Sequence, residues 1–174
     1  MNTMGEYFEF TTIKKAKEME KRPISRAGFD ALIKELKDLK EVQRPEILKT
    51  VQWARSLGDL SENADYSAAK EKQRQIDKRI AFIEGVIENA SVIDVDSLSG
   101  DRVIFGARVD LEDQDGNRMQ CQILSDIESD GRTIISCTSP VGRALIGKCV
   151  GDTCVVRLPS GEREYEVLDV KFKE

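Results

Sequence analysis

Two runs of apolar residues, each stepping by alternating threes and fours, constrain the first half of this chain more than any other feature. A residue that recurs at these steps lies on one stripe of an α-helix, and a stripe sustained over several turns is typical of a coiled coil. The clearer run predicts one long helix that must pack against another helix. Its members are Tyr66, Ala69, Gln73, Ile76, Ile80, Ile83, Ile87 and Ala90.

The earlier run predicts the partner helix. Ser25 stands where an N-cap is expected, and Gly58 is suited to end the helix. Pro45 lacks an N–H, so we expect a kink or a local loss of hydrogen bonds there. Only residues 57–60 separate the two stripes, so the helices must run antiparallel as a hairpin, with arms of about 30 residues and about 45 Å. The stripe comprises Phe29, Leu32, Leu36, Leu39, Leu48, Val51 and Ala54.

The second half carries the pattern of strands. Short runs rich in β-branched residues are separated by turn signals such as Asp115-Gly116 and Asp130-Gly131. Residues 140–148 predict one short helical turn, because Val141, Ala144 and Leu145 share a face. The runs predict strands over 92–95, 103–111, 119–124, 133–137, 153–158 and 165–172.

These patterns together predict an α+β fold with three parts. Residues 1–23 form a flexible or partly helical N-terminal arm, residues 24–90 form the antiparallel coiled-coil hairpin, and residues 91–174 form a small, mainly antiparallel β domain with one short helix.

Composition and charge exclude several function classes. The chain has 27 Lys plus Arg against 32 Asp plus Glu, a net charge of −5, which excludes a generally basic nucleic-acid coat protein. It has no histidine, so imidazole bases and imidazole zinc ligands are excluded. Its 4 cysteines contain no Cys-x-x-Cys pair, and no segment resembles a signal peptide or a membrane span. We expect a cytoplasmic protein with free thiols and no membrane contact.

Three carboxylates, Asp59, Glu62 and Asp65, cluster where the hairpin turns. Asp59 and Glu62 also fit a helix-capping box, which would make them structural. A capping box needs neither a third acid nor so long a hairpin, and such a protrusion suggests reaching into a partner. Two or three oxygen ligands are too few to hold Mg²⁺ tightly. The tip would therefore complete another protein's metal site rather than form its own.

A basic stripe follows the acidic tip. Lys70, Arg74 and Lys78 recur at one-turn steps on the second helix, with Lys72 and Arg79 beside them, and Arg55 precedes the turn on the first helix. One interpretation is an ordinary solvated helix face. The other is a surface that holds a phosphate backbone while the tip acids act on one bond.

Four segments carry a resemblance to the bacterial GreA/GreB transcript-cleavage factors, covering about residues 23–171. The segments are Arg-Pro-Glu-Ile at 44–47, Ala-Arg-Ser-Leu-Gly-Asp-Leu-Ser-Glu-Asn-Ala-Asp-Tyr at 54–66, Val-Ile-Phe-Gly at 103–106 and Ser-Pro-Val-Gly-Arg-Ala-Leu-Ile-Gly-Lys at 139–148. The tip segment is highly specific, and the Ser-Pro segment supports it independently. The N-terminal arm departs from the family pattern.

The resemblance implies a coiled coil that enters the secondary channel of bacterial RNA polymerase, followed by an FKBP-like domain that binds the channel rim. By residue matching, Asp59 and Glu62, with Asp65 as a further candidate, assist RNA cleavage in trans and hold Mg²⁺ only together with the polymerase active site. Ser139 and Pro140 match the rim-binding loop, although Thr138 stands where the family often has Asn or Asp.

The same resemblance assigns the basic residues to the RNA. Arg55 and Lys70 match positions that contact the 3′ end of the nascent RNA, and Arg74 and Lys78 extend that surface. The expected protein is a monomer that holds no cofactor alone and is not itself an enzyme.

Subtype and rival functions remain open at this point. Trp53, residues 56–58, residues 75–79 and the extended basic stripe look GreB-like, whereas Leu60, residues 68–71 and the acidic charge look GreA-like and favour GreA. One rival function is a secondary-channel inhibitor with the same fold. Another is an FKBP-like prolyl isomerase or chaperone, which needs an aromatic pocket, although only Phe105, Tyr165 and Phe172 are aromatic after Ser91.

Overall fold

The computed structural model describes residues 21–56, 64–159 and 161–173. They form two compact units: Phe29–Asn89 is one, and the described residues up to Gly28 together with those from Ala90 onward are the other. The first unit is helical and the second is built on a sheet. The predicted α+β class is confirmed.

Three helices build the helical hairpin. They are α1 (Arg26–Asp38), α2 (Arg44–Ser56) and α3 (Ala64–Glu88). The predicted N-cap of α1 is present, because the Gly28 N–H donates to Ser25 Oγ at 2.9 Å. The longest element, α3, carries the clearer of the two predicted apolar stripes.

A π-helical turn at Leu39–Gln43 joins α1 to α2, and the Arg44 N–H donates to the Leu39 carbonyl five residues back. The change in hydrogen bonding predicted for Pro45 therefore occurs in the turn just before it. The wider π-helical turn also changes which face of the helix the later residues of the apolar stripe occupy. Leu39 and Leu48 are about two and a half ordinary helical turns apart, which would place them on opposite faces of a regular helix.

The buried seam of the hairpin becomes thinner toward the turn at its tip. Leu39, Ile80 and Ile83 are buried farther from the tip, whereas among the described residues near the tip the buried ones are Ala54 and Ala69. Small side chains let two helices approach closely, so the described end of the hairpin is slim. The remaining buried residues of the seam are Leu32 and Ile76.

The second unit contains a five-stranded sheet, whose strands in spatial order are β5 (Ile134–Ser136), β4 (Arg118–Leu124), β3 (Arg108–Asp113), β7 (Gly161–Lys171) and β6 (Thr153–Leu158). All pairings are antiparallel except that of β4 with β5, so the predicted mainly antiparallel sheet is confirmed. A β-bulge interrupts the pairing of β3 with β7 between Asp110 and Leu111.

One predicted strand begins later than expected. The run 103–111 was predicted as one strand, but β3 starts only at Arg108. Gly106 has a φ of +91°, and a Cβ there would lie 2.1 Å from Val95 Cγ1. The chain therefore turns tightly through this glycine before it enters the sheet.

A separate two-stranded sheet was missed by the sequence analysis. Strand β1 (Arg22–Ser25) pairs in parallel with β2 (Ala90–Ile93), with Ile24 opposite Val92. Arg22 and Pro23 therefore belong to a strand rather than to the predicted flexible or partly helical arm. The rest of that arm, residues 1–20, lies outside the described residues.

The core lies on the inward face of the five-stranded sheet. It includes Val109, Leu111, Ile123 and Val167, which are completely buried. The cysteines are free thiols, and burial raises the pKa of Cys121 to about 11. No helix among the described residues is long and apolar enough to cross a membrane.

Candidate functional site

The acidic tip lies mostly outside the part of the chain that the structure describes. Helix α2 ends at Ser56 and α3 begins at Ala64, so Asp59 and Glu62 fall in the gap. Asp65 is described and lies exposed in the first turn of α3, where the helix dipole favours an acid. Within the described ranges, no cluster of three or more His, Cys, Asp or Glu side chains is arranged to hold a metal ion.

Ion pairs bridge the two arms of the hairpin. Lys40 Nζ lies 2.5 Å from Glu84 Oε1, and Arg44 Nε lies 2.8 Å from Asp77 Oδ1. Glu84 and Asp77 are one heptad apart, and the next equivalent position toward the tip holds Lys70. The residue at this repeating position of α3 therefore changes from acidic, at Glu84 and Asp77, to basic, at Lys70, as the tip is approached.

The predicted basic residues differ in their surroundings. Lys70 is partly buried, and its Nζ donates to Gln73 Oε1 at 3.1 Å, an amide rather than a carboxylate. Arg74 pairs with Glu71 one turn earlier, at 3.1 Å. Arg55, in the last turn of α2, and Lys78 are exposed. Cationic groups therefore reach solvent on both arms of the hairpin.

Arg79, which the sequence placed beside the basic stripe, has a structural contact instead. Its guanidinium donates two hydrogen bonds to the Glu35 carboxylate, at 2.7 and 2.8 Å, and lies 5.4 Å from the centre of the Phe82 ring. This pairing lowers the pKa of Glu35 and raises that of Arg79. Arg79 therefore links the two arms of the hairpin.

The predicted rim-binding loop is held by capping bonds. Ser139 caps helix α4 (Pro140–Leu145), accepting from the Gly142 N–H at 3.0 Å and donating to the Ser136 carbonyl at 2.7 Å. A Cβ on Gly142 would lie 2.1 Å from that carbonyl, so glycine is required there. Pro140 is exposed at the start of the helix. The loop therefore presents Pro140 from a fixed backbone.

Exposed apolar residues beside this loop were not singled out from the sequence. Ile104, Ile146 and Val150 are 38%, 42% and 51% exposed. Ile104 and Ile146 adjoin two hydrogen-bonded segments, since the Gly147 N–H donates to the Val103 carbonyl at 2.7 Å and the Val103 N–H to the Lys148 carbonyl at 2.8 Å. We call these three residues the Ile104 group. In the sequence Ile104 falls in a predicted strand, Ile146 in the predicted helical turn and Val150 between predicted elements, so their exposure is what reveals them.

Comparison with known families accounts for nearly the whole described chain. Residues 22–92 match the family described as "Transcription elongation factor, N-terminal", and residues 98–172 match "Transcription elongation factor, GreA/GreB, C-term". The two matches meet close to the end of β2, where the chain passes from the hairpin into the sheet domain.

Individual relatives agree. The chain is 51% identical over 158 residues to transcription elongation factor GreA of Anaeromyxobacter sp. (strain K), covering 90% of this chain and 95% of that protein. It is 49% identical over 156 residues to GreA of Methylobacterium nodulans, covering 88% and 99%. A crystal structure of GreA factor homolog 1 (Gfh1) of Thermus thermophilus is 30% identical, covering 87% of this chain and 99% of that one, at a TM-score of 0.42. That score is too low for the likeness in shape to carry weight.

The two family matches span both units, and the identity to GreA proteins is about half over most of either chain. These relatives favour the GreA-like subtype over GreB. The chain belongs to the GreA/GreB family of transcription elongation factors.

Proposed function

We propose that this protein binds RNA polymerase, inserts its hairpin into the secondary channel and stimulates the polymerase's own Mg²⁺-dependent cleavage of the 3′ end of backtracked RNA. The observation that carries the proposal is the change along one heptad position of α3, from Glu84 and Asp77 in cross-arm ion pairs to Lys70, which donates to an amide, just before the acidic tip. Membership of an elongation-factor family supports it.

The tip acids are the reactive part of the proposal. Asp59 and Glu62, with Asp65 nearby, supply carboxylate oxygens, the donors that Mg²⁺ prefers. A bound second Mg²⁺ would activate water and stabilise the leaving oxygen of the phosphodiester. Asp59 and Glu62 would be ligands that the protein contributes to the polymerase site, and they would orient the attacking water by accepting its hydrogen bonds.

The cations are proposed to hold the extruded RNA. Arg55, Lys70, Arg74 and Lys78 lie on the arms behind the tip, where phosphates would pass. Binding of a phosphate releases counterions and so depends on salt. Because the overall charge is −5, RNA binding requires a local surplus of basic residues such as this one.

The sheet domain is proposed to bind the polymerase at the channel rim. The rigid Ser139 cap and the exposed Pro140 support this assignment, and the exposed Ile104 group adds the apolar area that a protein interface uses. In this scheme the protein acts as a monomer in the cytoplasm, as a cofactor of another enzyme's active site.

The prolyl-isomerase alternative loses its support. Of the three aromatic residues available for such a pocket, Tyr165 and Phe172 are buried in the sheet core and Phe105 is partly buried, which disfavours a peptide pocket. The inhibitor alternative shares the fold and is decided by experiment.

The test is cleavage of labelled RNA in a backtracked elongation complex with Mg²⁺, comparing the intact protein with Asp59→Asn. We expect the intact protein to accelerate cleavage, with short fragments for GreA-like action, and Asp59→Asn to leave only the polymerase's own rate. Binding to polymerase without acceleration by the intact protein would contradict the proposal and favour either the inhibitor alternative or a hairpin restrained by the N-terminal arm.

A further inference from the structure

Trp53 of α2 is a large aromatic side chain that the hairpin leaves in solvent. It is 57% exposed, more than any other large apolar residue among those described, and it is the one tryptophan of the chain. Its neighbour Ala54 is completely buried in the seam. Because successive residues of a helix diverge by about 100°, the indole lies beside the seam on the outer side of the arm. The last residue of α2, Ser56, is three positions further on.

Phe82 of α3 provides a contrast within the same unit. It is 50% exposed, but the Arg79 guanidinium lies 5.4 Å from the centre of its ring. Among the described residues, no cation lies over the Trp53 ring in this way, and no group bonds to its indole N–H. The side-chain hydrogen bond at this residue goes to the Trp53 carbonyl, which accepts from the Ser56 hydroxyl at 2.6 Å. The ring face and the indole donor of Trp53 are therefore both open to a ligand.

The side chains beside Trp53 on its own helix face are polar. Lys49 lies four residues earlier, and Thr50 and Ser56 lie three residues before and after it, the spacings at which helical side chains are neighbours. Lys49 is exposed and has no ion pair within the described ranges. A protein interface groups several apolar residues, as in the Ile104 group. A single aromatic ring among cations and hydroxyls instead suits a nucleobase and its phosphate.

We propose that Trp53 binds an unpaired base of the extruded RNA by stacking, while Lys49 and Arg55 contact its phosphates. The inference rests on the proposed function, because the RNA in the channel supplies the unpaired base. The cations would attract the phosphate backbone, and the indole would hold one base in place. Every base has a π face, so the contact should tolerate any RNA sequence.

The first experiment places 2-aminopurine, a fluorescent adenine analogue, at each extruded position of the RNA in turn, in backtracked complexes without Mg²⁺. We expect the intact protein to lower the fluorescence at one or more positions to about half, because the base stacks on the indole. Trp53→Ala should abolish this quenching, and Trp53→Phe should retain most of it. Phe82→Ala is the matched control, since it removes a similarly exposed aromatic residue, and it should quench like the intact protein.

The second experiment separates a contact to RNA from a contact to the polymerase. The affinity of Trp53→Ala is measured for backtracked complexes and for complexes with no extruded RNA. We expect a loss of about tenfold for the backtracked complexes alone, since only they offer a base for stacking. Trp53→Phe should recover most of that loss. Removing an exposed side chain leaves no core cavity, so both variants should fold like the intact protein, and thermal denaturation checks this.

Lys49→Ala tests the phosphate contact without touching the ring. Its affinity for backtracked complexes should fall about threefold at low salt and approach that of the intact protein at high salt. Quenching at saturating protein should be unchanged. Lys34→Ala is the matched control, because Lys34 of α1 is also exposed and without an ion pair among the described residues, and it should have no effect.

Two results would overturn the inference. The first is undiminished quenching by Trp53→Ala, or no quenching by the intact protein at any extruded position. The second is an equal loss of affinity for both kinds of complex, which would make Trp53 a contact to the polymerase itself. Adding Mg²⁺ to the same complexes tests the proposed function separately: cleavage without quenching would refute this inference alone, and quenching without cleavage would refute only the stimulation of cleavage.

Discussion

The hairpin and the sheet domain stabilise their folds in contrasting ways. The hairpin buries one stripe that shrinks to Ala54 and Ala69 near its tip, whereas the sheet domain surrounds its core with strands on which Val109 and Ile123 are completely buried. A single seam leaves most hairpin side chains facing outward. A slim hairpin therefore offers side chains to a partner along its length, whereas a closed core holds the loops of the sheet domain rigid.

The largest expected effect compares matched isoleucines, both 0% exposed: Ile123 in the sheet domain and Ile83 in the hairpin. Ile123→Ala should lower the free energy of unfolding by about 4 kcal/mol, because a closed core cannot collapse around the cavity. Ile83→Ala should cost about 2 kcal/mol, since two helices can move together. Chemical denaturation, with hydrogen exchange resolving the two units, measures both. Equal losses of unfolding free energy in the two variants would contradict this difference between the sheet domain and the hairpin.

An intermediate effect concerns the basic residues behind the tip. Replacing Lys70 and Arg74 by Ala should raise the protein concentration for half-maximal cleavage about tenfold and weaken crosslinking to RNA 3′ ends, because phosphate contacts are lost. Titrating the double variant into backtracked complexes at two salt concentrations measures this rise in the concentration for half-maximal cleavage.

Arg44→Ala is the matched control for that variant. Arg44 lies on the same hairpin but is paired with Asp77 at 2.8 Å, so its loss should leave the dose response unchanged. If the double variant behaved like Arg44→Ala, the stripe would be a solvated face.

The smallest effect is the acid dependence of the hairpin. Pairing with Arg79 lowers the pKa of Glu35 from 4.5, so the pair stabilises the folded state above about pH 4.5 and loses its contribution as the pH falls through the lowered value. Both side chains are more than a third exposed, which limits the gain to about 0.5 kcal/mol. Glu35→Gln should flatten this part of the stability curve, and an unchanged slope would exclude the contribution.

Local periodicity made the elements predictable. The sequence predicted the buried seam residues Ile76, Ile80 and Ile83 and the strand Thr153–Leu158. Burial of one face of a helix or strand repeats apolar residues at a regular spacing in the sequence. The N-caps at Ser25 and Ser139 were equally local: the structure confirms the predicted cap at Ser25 and adds the one at Ser139.

Long-range contacts were not predictable in the same way. Some contacts depend on residues that meet only after folding, such as those of the strand Arg22–Ser25. Arg79 pairs with Glu35 across 44 positions, and Ser25 donates to Glu128 across 103 positions. A short polar segment carries no period that identifies its partner. The tip roles of Asp59 and Glu62 stay predictions from residue matching.

The most direct test of the central claim, that the tip acids serve the chemistry and not polymerase binding, is a competition. Asp59→Asn is added to backtracked complexes with a fixed amount of the intact protein, and cleavage is followed. We predict that the variant inhibits, with half-inhibition near equal concentrations, because it occupies the same polymerase site without its carboxylate. Undiminished cleavage at a large excess of the variant would contradict the claim, since Asp59 would then be required for binding.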